Sequence, residues 1–174
     1  NATQVTAGDS CWQGRTSEDY WAFVGPFGGV TAATMLRALI EHPQRAGDPL
    51  SLTVNFCAPI APGAFDLDIR LVKANRSTQH WSVEMTQGNA EVATLATAVF
   101  AVRRPSWSHQ QAEFPNGSAF EQTLPYAKLA APWVRQYDFR FVAGEPKLGG
   151  RPLAAPASAF SKLWIGDRVP RRID

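Results

Sequence analysis

The chain has 174 residues, 45% of them apolar, with six Trp and ten Phe, enough for one large domain or a domain plus part of another. Its net charge is +2 with acidic and basic residues mixed throughout, which excludes the basic and aromatic footprint of a nucleic-acid binder. No apolar run approaches the length of a membrane span.

Cys11 and Cys57 have no metal-type spacing and are too few for a disulfide framework, so two buried free thiols in a cytosolic protein are expected. The sequons at Asn1, Asn75 and Asn116 would matter only in a secreted protein. Asn1 in place of Met reads as a processed or trimmed start.

Residues 10–24 carry Cys11, Trp12, Tyr20, Trp21, Phe23 and Val24 around a polar centre, which predicts two short strands or a strand and a bend. A helix is predicted from Val30 to Glu41, opened by Gly28-Gly29 and closed by His42-Pro43. It is apolar nearly all round, so most of its circumference is expected to be buried. Its polar exceptions, Thr31, Thr34, Arg37 and Glu41, form one narrow stripe. His42 suits the negative end of the helix dipole. Gln44 to Pro49 reads as a loop.

Four strands are then predicted in succession. Leu52, Val54 and Phe56 alternate with polar residues; Leu67, Ile69 and Leu71 do the same, and so do Trp81, Val83 and Met85. After a hairpin signal at Gly88-Asn89, a longer strand runs from Glu91 to Val102 with small residues at Ala93, Ala96 and Ala98. Alternation with period two in consecutive segments means antiparallel strands with one face buried. The buried helix must therefore be wrapped by this sheet, an α+β arrangement of the hotdog type.

Arg103-Arg104-Pro105 ends this first unit, residues 1–105. Residues 106–125, rich in Ser, Gln, Pro and Gly, read as a linker. In residues 126–174, Tyr137, Phe139 and Phe141 mark one strand and Phe160 to Ile165 another. A Gly- and Pro-rich loop, including Gly149-Gly150-Arg151-Pro152 and residues 154–157, separates them. This second unit has two strands and no helix.

Several segments together resemble the first half of an acyl-CoA thioesterase II (TesB-like) double-hotdog protein. They are Trp12-Gln13-Gly14, Gly25-Pro26-Phe27-Gly28-Gly29, the run from Leu52 to Ile60, Leu71 to Gln87, and Ala98-Val99-Phe100-Ala101 followed by Arg103-Arg104-Pro105. Ser161 to Ile165 and Pro170 to Asp174 are similar to the opening of the second half, just before its helix. The resemblance implies an incomplete double hotdog whose second helix and remaining strands lie outside the chain. It also implies that the water-activating residues, an Asp on the second helix with a Thr and a Gln on later strands, fall beyond Asp174. No catalytic residue is therefore assigned to this chain. Asn75 stands where the family usually has Gly before Arg76, which reads as a turn.

Thioester hydrolysis needs an activated water and donors aimed at the carbonyl oxygen as it gains charge. Unpaired amides at the start of the first helix suit that oxygen. Phe27, Gly28, Gly29 and Thr31 are the candidate substrate-binding residues there. The glycines either let a substrate approach the backbone or allow a tight turn under the sheet. Thr31 and Thr34 either touch a water or substrate or bond back to the preceding turn. Arg37 and Glu41 read as a solvated pair. Arg76, with Lys73 and Arg70, is a candidate for the phosphates of a CoA-like group or a scattered surface cation; Gln79 and Gln87 are weaker candidates.

No Gly-x-Ser-x-Gly elbow is present. The buried part of the helix offers no His with an acidic partner, which argues against a dehydratase. No metal or cofactor is implied. The leading expectation is an acyl-CoA thioesterase acting on a fatty-acyl-CoA or related thioester, oligomeric and completed by a second-half chain or segment. A non-catalytic hotdog that binds acyl groups or serves in assembly is the alternative. A protein nicked after Arg171-Arg172 is a third reading.

Overall fold

The computed structural model describes residues 1–8, 11–88, 91–126, 131–146 and 159–170, which fall into two compact units, Asn1–Trp107 and Ser108–Asp174. The first is a six-stranded antiparallel sheet folded around one helix. Its strands are β1 (Val5–Ala7), β2 (Trp12–Arg15), β3 (Asp48–Phe56), β4 (Ala64–Ala74), β5 (Thr78–Gln87) and β6 (Glu91–Ala101), in the spatial order β1-β2-β4-β5-β6-β3. The helix α1 (Gly28–Glu41) lies between β2 and β3 in sequence.

Alternation on β5 sends Trp81, Val83 and Met85 inward, opposite Leu71, Ile69 and Leu67 of β4. On β6, Ala96, Ala98 and Phe100 face the same way. The small alanines leave room for α1, which fills the centre with Met35, Ala38 and Leu39, all fully buried. Burying a side chain the size of Met35 or Leu39 contributes about 1.5–3 kcal/mol.

The helix is buried on a different face from the one its apolar pattern suggests. Thr31 and Thr34 face the sheet at 4% and 3% exposure, whereas Gly29, Ala33 and Ile40 face outward. Burying Thr34 is tolerable because its hydroxyl donates to Val30 O at 2.8 Å. Arg37 and Glu41 form the expected exposed pair, worth about 0.3–0.5 kcal/mol.

Three other expectations are corrected. β3 begins at Asp48, within the expected loop, because Gly47 at φ +79° turns the chain under Ala101. Pro49 is accommodated because β3 is an edge strand with an irregularity between Pro49 and Ser51. The thiols are not buried: Cys57 is exposed where β3 leaves the sheet, and Cys11 is half-buried with Sγ 3.6 Å from Asp66 Oδ1. His42 is more than a helix end: its ring lies between Trp12 and Trp81, and that burial lowers its pKa, which disfavours the charged form.

At the start of the chain, β2 and a 3-10 turn at Glu18–Tyr20 occupy the predicted strand-and-bend region, and β1 adds a short strand. Gly88 has φ +57° at the β5–β6 hairpin. Asn89, the loop at 149–157 and the segment 171–174 lie outside the described residues.

The second unit is a two-stranded antiparallel ribbon, β7 (Tyr137–Ala143) with β8 (Lys162–Asp167). Phe139 packs with Tyr126 and Val134 on one face. The stretch expected as a linker packs on this ribbon. Trp164 Nε1 donates to Ser118 O at 3.0 Å, Lys162 Nζ donates to Asn116 O, and Phe114 stacks on Trp164. Arg140 binds Asp138 Oδ2 and the carbonyls of Phe120 and Thr123.

Candidate functional site

The first turn of α1 is held by its approach. A tight turn at residues 22–25, closed by Ala22 N–H donating to Gly25 O at 2.7 Å, leads to Phe27, whose N–H donates to Tyr20 O at 2.8 Å. Phe27 is the N-cap and offers no side-chain cap. The Val30 and Thr31 amides reach back to Phe27 O, while the Gly28 and Gly29 amides have no partner among the described residues. An uncapped helix start presents free donors and the positive end of the helix dipole.

Packing accounts for both glycines. A Cβ on Gly29 would meet the Phe27 ring at 2.4 Å, and one on Gly28 would meet the Phe56 ring at 2.9 Å. Of the two readings of this pair, the tight fit under aromatic rings is the one with visible contacts.

Thr31 points the other way, into a small cavity under the turn lined by Val30, Thr34, Ile60, Phe65 and Met85, with Arg15, Thr16 and Ser17 at its polar side. The Thr31 hydroxyl has no hydrogen-bond partner among the described residues, unlike that of Thr34. No Asp, Glu or His lines this cavity.

The sequence-derived candidates separate into two places. Phe27, Gly28, Gly29 and Thr31 share the first turn of α1. Arg76 is exposed in the β4–β5 turn, at the other end of the sheet. There the adjoining Gln79 receives Ala46 N–H and donates to Gln44 O, both just past the helix C-terminus. Lys73 lies near Arg76, opposite His80, whereas Arg70 sits in mid-strand opposite Ser82.

Gln79 and Gln87, weak candidates for chemistry, are anchors at the two ends of β5. Gln87 accepts from Ala61 N–H at 2.8 Å and donates to the carbonyls of Ala61 and Ala64. Phe56 over Gly28 and Met85 and Phe65 around Thr31 were not singled out from the sequence. Alternation placed Phe56 and Met85 on strands, and nothing local marked any of the three as lining the first turn. Two buried polar atoms, Trp81 Nε1 and Thr94 Oγ1, have no partner among the described residues. Among those residues no cluster of three His, Cys, Asp or Glu is placed to hold a metal, and no helix is long and apolar enough to cross a membrane.

Residues 17–101 match the family described as acyl-CoA thioesterase N-terminal domain. Among solved structures, a conserved hotdog-fold protein of unknown function from Alicyclobacillus acidocaldarius is 43% identical, with a TM-score of 0.79 over 82% of this chain and 54% of that one. The acyl-CoA thioesterase II TesB2 of Mycobacterium marinum is 19% identical, with a TM-score of 0.73 over 99% of this chain and 61% of that one. The tesB protein of Mycobacterium avium subspecies paratuberculosis is 16% identical, with a TM-score of 0.65 over 83% and 53%. The chain thus spans between about half and three fifths of the length of these proteins. No curated protein matches it. Residues 17–101 are thus similar to acyl-CoA thioesterase N-terminal domains, and the fold of this unit is the hotdog.

Proposed function

We propose that this chain is the first part of a double-hotdog hydrolase that cleaves a fatty-acyl-CoA or related acyl thioester. On this reading residues 1–105 are the first hotdog, 106–125 connect, and 126–174 open the second. The second helix, with the catalytic acid, lies outside the chain. The Thr31 hydroxyl stands apart, pointing the other way into its own cavity. The observation that carries the reading is the uncapped first turn of α1, where the Gly28 and Gly29 amides are left without partners among the described residues. Such donors match the oxygen of a thioester carbonyl as charge develops on it. Phe27 would border the acyl group.

The surface beside that turn supports a complementary half. β3 ends the strand order, with Leu50 and Phe56 exposed on it. Gly29, Ala33 and Ile40 face outward from α1. An open sheet edge alongside an apolar helix face calls for a covering element. On this reading the enzyme is oligomeric and its location cytoplasmic.

One observation favours a second reading, a non-catalytic hotdog that binds acyl groups or serves in assembly: the cavity at Thr31 contains no acid or base. Thiol release from a series of saturated acyl-CoAs by the full-length protein separates the two. The enzyme reading expects release that saturates with substrate. Tight binding with no release would contradict it and leave the binding module.

A further inference from the structure

We infer that the end of the first unit carrying the β4–β5 turn is a binding site for phosphate groups. Eight Lys and Arg residues lie in residues 1–107, and five of them, Arg45, Lys73, Arg76, Arg103 and Arg104, come from segments that meet at this end. Backbone contacts fix the meeting. Val102 N–H donates to Ser77 O at 3.0 Å, and Ala46 N–H donates to Gln79 Oε1 at 2.8 Å. Asp48 stands opposite Ala101, and Lys73 opposite His80. The turn itself is closed by Asn75 N–H donating to Thr78 O at 2.8 Å and Asn75 Nδ2 to Thr78 Oγ1 at 3.2 Å. The cations therefore sit on ordered strand ends and turns.

All five are exposed. Among the described residues, Lys73, Arg76 and Arg104 have no hydrogen bond or ion pair, and Arg45 donates only to Gly47 O at 2.7 Å. Arg103 reaches Asp48 Oδ2 at 3.5 Å, with both side chains largely exposed. Glu41, the other carboxylate at the helix C-terminus, is held by Arg37. Of the remaining described carboxylates, Glu18, Asp19, Asp66 and Glu91 lie toward the opposite end, with Arg15 as the one cation among them, and Asp68 and Glu84 face each other in mid-strand.

Signs sorted this way repel within each cluster, whereas a surface kept only for solubility intersperses them. Arginine's planar fork suits phosphate oxygens better than any other side chain does. The site is separated from Phe27–Thr31 by the 14-residue length of α1, about 20 Å. It stands whether or not the thioesterase reading holds. Under that reading, the phosphates of an extended carrier lying along the helix would fall here.

Phosphate of this kind comes from a soluble nucleotide or from the headgroups of an anionic bilayer. Two arms distinguish them: calorimetry of the full-length protein with adenosine 3′,5′-bisphosphate, and co-sedimentation with phosphatidylcholine vesicles with and without phosphatidylglycerol. The expected result is binding of one anion, none of adenosine or of neutral vesicles, and a loss of about tenfold or more in Arg76→Gln/Arg103→Gln/Arg104→Gln. A nucleotide response identifies the nucleotide source, and a response to anionic vesicles alone identifies lipid. Were the triple variant to lose its fold, the matching Arg→Lys variant and the salt dependence of wild-type binding read the same charge. No binding in either arm, equal binding of the neutral controls, or no effect of the substitutions would overturn the site. Phosphate binding without thiol release would remove the proposed hydrolase and leave this site; thiol release without phosphate binding would do the reverse.

Discussion

His42 meets Trp81 edge-on, ring centroids 4.8 Å apart at 66°, with Trp12 on a second side at 6.2 Å. The residue that caps α1 thus also closes the aromatic end of the core. Its Nδ1 accepts Gln44 N–H at 3.2 Å, a bond that only the ring without a proton on that nitrogen can make.

Burial lowers the His42 pKa below its ordinary 6.5. The unfolded chain therefore takes up a proton at this residue before the folded one does. Stability is full above 6.5 and falls as pH drops below it, until the lowered folded pKa is reached. Melting temperatures followed downward from neutral pH should fall more steeply for wild type than for His42→Gln. Parallel curves would remove His42 as the cause.

Gln79, at 8% exposure, bonds both Ala46 N–H and Gln44 O at 2.8 Å. Gln79→Ala leaves those backbone groups unsatisfied and should cost about 1–3 kcal/mol in denaturant unfolding. Gln87→Ala, in a wetter setting, should cost less. Equal losses would mean that burial does not set the difference.

Gly47 has φ +79°, and an added Cβ would stand 2.3 Å from the Ala101 carbonyl. Gly47→Ala should therefore destabilise the first unit by about 2 kcal/mol or more. Gly63→Ala meets no atom within 4 Å at φ +138° and carries backbone strain alone. A smaller loss at Gly47 than at Gly63 would contradict the close approach.

Arg140 joins the ribbon to the segment before it through Asp138, Phe120 O, Thr123 O and the Phe120 ring, 4.0 Å below its guanidinium. Arg140→Ala should speed amide hydrogen exchange in residues 118–126 and 137–143 while leaving β3 to β6 unchanged. Faster exchange throughout both units would show that they unfold together.

The first unit was legible because one signal dominates it. Apolar residues alternate strictly on β4 and β5, and only a sheet with one buried face uses that pattern. The start and stop of α1 were legible for equally local reasons, uncapped glycines before it and Pro43 after it. Which face of α1 turns inward was not legible, since Ala33 and Ile40 are as apolar as Ala38 and Leu39; tertiary packing chose. The anchoring roles of Gln79 and Gln87 depend on loops 26–35 residues away in sequence, where no local pattern reaches. In the same way the gathering of Arg45, Arg76 and Arg103 needed the strand order. Packing of residues 114–123 on the ribbon was hidden by a composition that reads as linker.

The measurement that bears most directly on the candidate site is backbone amide NMR of the full-length protein titrated with a non-hydrolysable acyl-CoA thioether, in wild type and Thr31→Val. The Thr31 hydroxyl has no partner to lose among the described residues, so Thr31→Val should keep wild-type stability. On the proposed account, Gly28, Gly29 and Thr31 shift most on titration, and Thr31→Val weakens that response. Shifts confined to other elements, with the first turn of α1 unmoved in both proteins, would contradict it.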